Sequence, residues 1–135
     1  MIFNGVYWMS MGSNDKSNYK TRNVLYSFRH ALSGFSKAVK EERNMKIHLL
    51  FTMVVILLGL LLQVSRVEWV FLLVLIGGVI SLELINSSIE NLVDLVTEEY
   101  HPLAKKAKDM AAAAVFIFSI VSVIIGLIIF IPRIW

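Results

Sequence analysis

Three long apolar runs dominate the sequence. They are Ile47–Leu62, Trp69–Leu82 and Ala111–Ile131, and the second continues with polar interruptions to Val96. A hydrocarbon core of about 30 Å needs about 20 helical residues. The third run is long enough to cross this core by itself. The first run reaches the required length only with its polar flank, and the second only with its continuation to Val96. The pattern therefore predicts an all-α integral membrane protein with three transmembrane helices. The predicted spans are residues 44–63, 68–96 and 108–131.

A shorter helix is predicted before the first run, over residues 24–40. Its apolar residues recur at intervals of three and four, and basic residues occupy the opposite side. Such an amphipathic helix can lie in the headgroup layer of a membrane. Residues 1–22 are expected to be disordered or to precede the true start, and residues 23–135 are expected to form one membrane domain. The apolar stripe consists of Leu25, Phe28, Leu32, Phe35 and Val39.

The basic residues are distributed unevenly around the three runs. Eight precede the first run and three, Lys105, Lys106 and Lys108, lie between the second and third, whereas only Arg66 and Arg133 lie in the other two flanks. Lys and Arg are enriched on the cytoplasmic side of membrane proteins. The N-terminus is therefore expected in the cytoplasm and the C-terminus outside. Membrane orientation explains the net charge of +3, so no nucleic-acid partner is expected.

A stripe of polar residues enters the second span: Glu83, Asn86, Ser87, Glu90 and Asp94. At 3.6 residues per turn, all five fall within an arc of about 100°. Glu83 lies about 21 Å along the axis from the start of the apolar run, at 1.5 Å per residue. It is therefore predicted to lie inside the hydrocarbon layer, and Glu90 and Asp94 are predicted to lie near its cytoplasmic boundary.

A carboxylate at this depth costs at least about 2.5–3.5 kcal/mol, which favours a functional role over a structural hydrogen bond or ion pair. Glu83 is suited to accept a proton, and the acids near the boundary are suited to Mg²⁺ with bound phosphates. The residues alone leave three classes open: a lipid kinase, a small proton-coupled exporter and a non-catalytic membrane subunit. The chain lacks cysteine, and its histidines lack the spacing of a zinc site.

Several short motifs occur in a fixed order. Glu83–Glu90, Asp94, Glu99–His101 and Ala107–Asp109 follow one another, and Phe28–Ala31 and Glu42 precede them. In this order and spacing they resemble the prokaryotic diacylglycerol kinase family, whose members are small trimeric membrane kinases. The resemblance extends from about Tyr26 to Ile131. It implies a homotrimer in the bacterial cytoplasmic membrane, with active sites shared between subunits.

The resemblance also implies roles for individual residues. Glu83 would be the general base, and Glu42 and Glu90 would hold Mg²⁺ on the phosphates of ATP. Asn86 and Asp94 would orient the acidic residues. Asn44, Lys46 and His48 would border the lipid. The residues expected to bind the nucleotide are His30, Glu42, Glu90, Glu99, Tyr100, His101, Lys108 and Asp109.

Other segments resemble the Gram-positive branch of the family, namely Glu42–His48, Glu68-Trp69 and His101–Lys105. This branch implies phosphorylation of undecaprenol to undecaprenyl phosphate, for recycling of the cell-envelope lipid carrier. Phosphorylation of diacylglycerol to phosphatidic acid is the alternative. Two residues, Ser88 and Ala113, depart from the common pattern, and the Ser88 hydroxyl is expected to bond back to its own helix.

Overall fold

The computed structural model describes residues 19–97 and 99–135, which within these ranges form helices and short connections without strands. Most of the segment 1–22, predicted to be disordered or mis-started, lies outside the described residues. The first helix begins at Tyr19, before the predicted position 24. The four helices are α1 (Tyr19–Glu41), α2 (Arg43–Leu61), α3 (Arg66–Val96) and α4 (Pro102–Ile134).

The chain divides into two compact units between Ser36 and Lys37. The described part of the first unit belongs to α1, where Val24, Phe28 and Leu32 are exposed. A row of exposed apolar side chains on a helix is compatible with the predicted location at a membrane surface. The second unit contains the end of α1 and all of α2, α3 and α4.

Three of the described helices, α2, α3 and α4, are long and apolar enough to cross a membrane. They contain 19, 31 and 33 residues, and many of their large apolar side chains are exposed. Helix α4 begins at Pro102 and continues through Pro132 to Ile134, so it extends beyond both ends of the predicted span 108–131. Proline near a helix end removes only one backbone donor, and the Arg133 guanidinium donates to the Ile129 carbonyl at 2.7 Å nearby.

A tight turn connects α2 to α3. Gln63 adopts a left-handed conformation with φ of 50°, and the Val64 amide donates to the Gly59 carbonyl at 3.1 Å. This is the hydrogen bond of a Schellman motif, with Gln63 in the position usually taken by glycine. Ser65 then begins α3 with a capping box, in which its side chain and that of Glu68 satisfy each other's backbone amides. The turn makes α2 and α3 antiparallel neighbours.

Two ion pairs connect α3 with α4. At one end of the interface between the two helices, Lys108 Nζ lies 2.5 Å from Asp94 Oδ1. At the other end, Arg133 Nη2 lies 2.6 Å from Glu68 Oε2. Near the second ion pair, Val64, Leu72, Ile129 and Phe130 form a buried apolar cluster. The helices are therefore antiparallel, with charged contacts at both ends of the interface.

Gly59 allows α2 to approach α3 closely. A Cβ atom at this position would lie 2.8 Å from Cη2 and 2.9 Å from Cζ2 of Trp69. The Trp69 ring also packs against the buried apolar cluster, which limits how far it can move.

We therefore expect Gly59→Ala to lower the free energy of unfolding by about 1–3 kcal/mol, the usual cost of overpacking. Thermal denaturation in detergent measures this effect. Gly126→Ala is the matched control, because a Cβ atom at Gly126 meets nothing within 4 Å. Equal melting temperatures of Gly59→Ala and the wild type would show that the two helices can separate without cost.

Candidate active site

Glu83 is buried between helices, with 2% of its surface exposed. It lies on the buried face of α3, four residues after Val79 and four before Ser87. The nearest charged partner that the structure gives it is His48 on α2, whose Nε2 lies 3.9 Å from Glu83 Oε2. This distance is too long for a hydrogen bond, although protonation of His48 would make the contact an ion pair. The Asn44 side chain also interacts with the Glu83 carboxylate.

Two further carboxylates, Glu42 and Glu90, act on Glu83 electrostatically. Glu42 occupies the joint between α1 and α2, in an extended conformation at the N-cap of α2, and its side chain makes no capping hydrogen bond. Glu90 lies about two helical turns from Glu83 along α3. It accepts a hydrogen bond of 2.9 Å from Asn86 Nδ2. Three acids from two parts of the chain therefore lie close enough to influence one another electrostatically.

The Asn86 amide nitrogen donates a hydrogen bond to Glu90, and its amide oxygen has no hydrogen-bond partner. The side chain is buried, with 4% of its surface exposed, and Ser87 beside it is also buried. Neither Asn86 Oδ1 nor Ser87 Oγ has a hydrogen-bond partner, and each such buried group costs about 1–3 kcal/mol. Both atoms are oxygens, and the Asn86 amide also contacts the Glu90 carboxylate, which suits a ligand that carries positive charge or donates hydrogen bonds.

Glu42 and Glu90 have the donor chemistry for the Mg²⁺ that the family resemblance implies. In the described part of the chain, no group of three or more acidic, histidine or cysteine residues could hold a metal ion alone. Mg²⁺ commonly takes one or two protein carboxylates and completes its coordination with waters and substrate phosphates. A pair of glutamates supported by Asn86 is therefore a donor set of the expected kind.

Two lysines near the start of α4, Lys105 and Lys108, are paired with acids. Lys108 contacts Asp94, and Lys105 Nζ lies 2.5 Å from Asp109 Oδ2 one turn further along the helix. Both pairs are largely exposed, so they contribute little to stability. An exposed ion pair can exchange its carboxylate for a phosphate at small cost, which keeps Lys108 available to a nucleotide.

The other residues predicted to bind the nucleotide are His101, Glu99, Tyr100 and His30, and the structure gives none of them a contact with Glu83. The His101 ring caps α4, because Nδ1 accepts a hydrogen bond of 3.3 Å from the Leu103 amide. Glu99 and Tyr100 are exposed in the connection before it. His30 belongs to the first unit, where its ring lies 6.3 Å from that of Tyr26.

Two serines and a lysine complete the description. Ser88 donates to the Leu84 carbonyl at 2.7 Å, which confirms the expected bond to its own helix. Lys46, predicted to border the lipid, donates to the Lys40 carbonyl at 2.7 Å and so joins the ends of α1 and α2. Sequence reasoning missed Ser119, whose buried hydroxyl lacks a partner. A single serine within an apolar run gives little signal, because most such hydroxyls bond to their own helix.

The fold and the site define a helical protein with three candidate membrane spans and a buried carboxylate between them. The sequence pattern of the prokaryotic diacylglycerol kinase family matches residues 29–130. This match covers most of the chain, and the chain belongs to that family.

The relatives include an undecaprenol kinase and two diacylglycerol kinases, whose names give two different lipid substrates. The undecaprenol kinase of Bacillus subtilis is 46% identical over 91% of this chain and 99% of its own length. The diacylglycerol kinase of Synechocystis sp. is 42% identical over 77% of this chain and 60% of its own length. The diacylglycerol kinase of Pseudomonas aeruginosa is 38% identical over 71% of this chain and 78% of its own length.

Proposed function

We propose that this protein is an ATP-dependent lipid kinase that converts undecaprenol to undecaprenyl phosphate. The observation that carries the proposal is the buried Glu83, which neighbours His48 and lies in the electrostatic field of Glu42 and Glu90. The substrate follows from the similarity to an undecaprenol kinase over nearly the whole of both chains. Diacylglycerol is the second candidate, because two of the relatives above bear that name.

In the proposed reaction, Glu83 is the general base. It accepts the proton of the lipid hydroxyl while the hydroxyl oxygen attacks the terminal phosphorus of ATP, and ADP leaves with the electrons of the broken P–O bond. Phosphoryl transfer depends mainly on positioning and on stabilisation of the transferred charge. The 2% exposure of Glu83 keeps bulk water away from the base, which disfavours hydrolysis of ATP.

Glu42 and Glu90 would hold Mg²⁺, with Asn86 fixing the orientation of Glu90 through the 2.9 Å hydrogen bond. When bound, the ion would neutralise charge on the ATP phosphates. Lys108 would leave Asp94 to contact a phosphate, and Asp109, Glu99, Tyr100, His101 and His30 would contribute contacts to the nucleotide. Asn44, Lys46 and His48 would border the path of the lipid.

The remaining features of the proposal concern the membrane. Helices α2, α3 and α4 would cross the bacterial cytoplasmic membrane, with the N-terminus and the active site in the cytoplasm and the C-terminus outside. Helix α1 would lie at the surface with its apolar side chains in the lipid. Three copies would assemble into a homotrimer, in which neighbouring subunits share each site.

Phosphorylation of undecaprenol and diacylglycerol side by side tests the substrate. We expect undecaprenol to be preferred by at least about tenfold in kcat/KM, or about 1.4 kcal/mol in transition-state binding. A polyprenol has one chain and needs a narrow slot beside His48, whereas diacylglycerol brings two chains and two ester carbonyls. Purified protein with labelled ATP provides the measurement, and equal rates on both lipids would contradict the choice of undecaprenol.

Variants of His48 test whether this residue contributes to the choice. We expect His48→Glu to narrow the preference for undecaprenol, because it changes the polar border of the slot. This substitution also places a second carboxylate near Glu83, since the His48 ring lies 3.9 Å from it. His48→Gln is therefore the matched control: it changes the border without adding charge and separates selectivity from a general loss of rate. An unchanged preference in both variants would exclude His48 from substrate selection.

A further inference from the structure

Glu83 has to lose a proton before it can act as a base again. In the proposed reaction, each phosphoryl transfer leaves the proton of the lipid hydroxyl on the Glu83 carboxyl group. Only 2% of Glu83 is exposed, so this group has almost no contact with bulk water. A proton then leaves through a group within hydrogen-bond reach, directly or by way of one water molecule. The neighbours of Glu83 therefore decide how the base is regenerated.

Four side chains of the described residues act on the Glu83 carboxylate: His48, Glu90, Glu42 and Asn44. The amide of Asn44 does not take up a proton near neutral pH. Glu42 and Glu90 are proposed to hold Mg²⁺, and a metal ion binds the deprotonated form of a carboxylate. His48 is the remaining group, and imidazole both binds and releases a proton near neutral pH. Its Nε2 lies 3.9 Å from Glu83 Oε2.

His48 is more exposed than Glu83 and lies nearer to an end of its helix. Its side chain is 21% exposed, compared with 2% for Glu83. It belongs to the second turn of α2, and Asn44 lies one turn nearer to the start of the helix on the same face. Asn44 is exposed, although it also interacts with Glu83. This face of α2 therefore connects the buried carboxylate to the end of the helix that the proposed topology places in the cytoplasm.

We propose that His48 accepts the proton from Glu83 after each phosphoryl transfer and releases it to water at the start of α2. The O–H bond of the Glu83 carboxyl group breaks, an N–H bond forms at His48 Nε2, and the imidazolium then loses one proton to water. The distance of 3.9 Å requires a small approach of the two side chains or one bridging water molecule. This proton route rests on the proposed function, because without phosphoryl transfer Glu83 receives no proton.

The kinetic test separates the first turnover from the later ones. Glutamine at position 48 keeps a polar side chain but cannot take up the proton. We therefore expect His48→Gln to complete its first turnover at nearly the wild-type rate, because Glu83 starts deprotonated. Its kcat should fall at least about tenfold, since a positioned proton-transfer group contributes about 10²–10⁴-fold and water replaces part of this effect. Rapid-quench measurements with labelled ATP, using the lipid that the wild type phosphorylates faster, show both rates.

Ile47→Ala is the control for this comparison. It shortens the neighbouring side chain of the same helical turn, which is 40% exposed and carries no titratable group. Both of its rates should stay near those of the wild type. A first turnover in His48→Gln that is slowed as much as kcat would show that His48 only orients the base or the lipid. An unchanged kcat would show that the proton leaves by another route.

Chemical rescue identifies the proton transfer itself. His48→Ala leaves space for free imidazole next to Glu83, so its kcat should rise several-fold as imidazole is added. Glu83→Gln should not respond to imidazole, because it accepts no proton that would have to be removed. A rise of equal size in both variants, or in neither, would overturn the proton route.

The wild type decides between the two levels of the proposal. A wild type that phosphorylates neither lipid would overturn the proposed function, and the proton route with it. An active wild type combined with a slow first turnover in His48→Gln would overturn the proton route alone and leave the kinase activity established.

Discussion

Replacing Glu83 by glutamine is expected to lower the kcat of lipid phosphorylation by about 10²–10⁴-fold, the usual contribution of a general base. Glutamine has nearly the shape of glutamate, so it can occupy the buried position without a cavity or a clash. It cannot accept the proton of the lipid hydroxyl. Since Glu83 lies away from the charged pairs at the start of α4, the KM for ATP should stay close to that of the wild type.

Glu68→Gln is the matched control for this prediction. It makes the same chemical change on the same helix, but Glu68 pairs with Arg133 at the opposite end from Asp94 and Lys108. Its loss should reduce stability slightly and leave turnover intact. The measurement is single-turnover phosphorylation with labelled ATP, together with thermal denaturation to show that both variants fold. A folded Glu83→Gln protein with near-normal turnover would remove Glu83 from the role of base.

The helices and the polar stripe could be predicted because both are local properties of the sequence. Apolar runs of sufficient length predict helices whatever their partners, and a spacing of three and four residues places Glu83, Asn86 and Glu90 on one face. The bond from Ser88 to Leu84 could be predicted for the same reason. The family resemblance added Glu42, which belongs to a different helix boundary and which no periodicity connects to α3.

Contacts between distant segments could not be predicted from periodicity. The pairing of Lys108 with Asp94 and of Arg133 with Glu68 depends on the register of α4 against α3, and charge alone does not distinguish these partners from others. Helix α4 also runs from Pro102 to Ile134, beyond the predicted span 108–131, because polar flanks continue a helix without adding to the apolar pattern. Nucleotide binding by His101 stays a prediction, and the structure adds that its ring caps α4.

The two acids proposed to hold Mg²⁺, Glu42 and Glu90, lead to a prediction about metal dependence. Glu42→Gln and Glu90→Gln should each raise the Mg²⁺ concentration for half-maximal activity by at least about tenfold, which corresponds to about 1.4 kcal/mol of binding. A carboxamide keeps the size of the side chain but removes the charge that a hard cation prefers. High Mg²⁺ concentrations should restore much of the lost activity. The ion also binds the ATP phosphates, and each substitution weakens its binding by removing only one protein ligand.

Glu41→Gln is the control that the chain offers for this experiment. Glu41 is the last residue of α1 and is exposed, whereas Glu42 next to it is partly buried at the start of α2. Removing the Glu41 charge makes the same change in net charge one residue away, but it removes no proposed ligand. A shift of the Mg²⁺ midpoint in Glu42→Gln and Glu90→Gln, but not in Glu41→Gln, would therefore identify coordination. An unchanged midpoint in both Glu42→Gln and Glu90→Gln would mean that neither residue holds the ion, and that the acids serve Glu83 only through their charge.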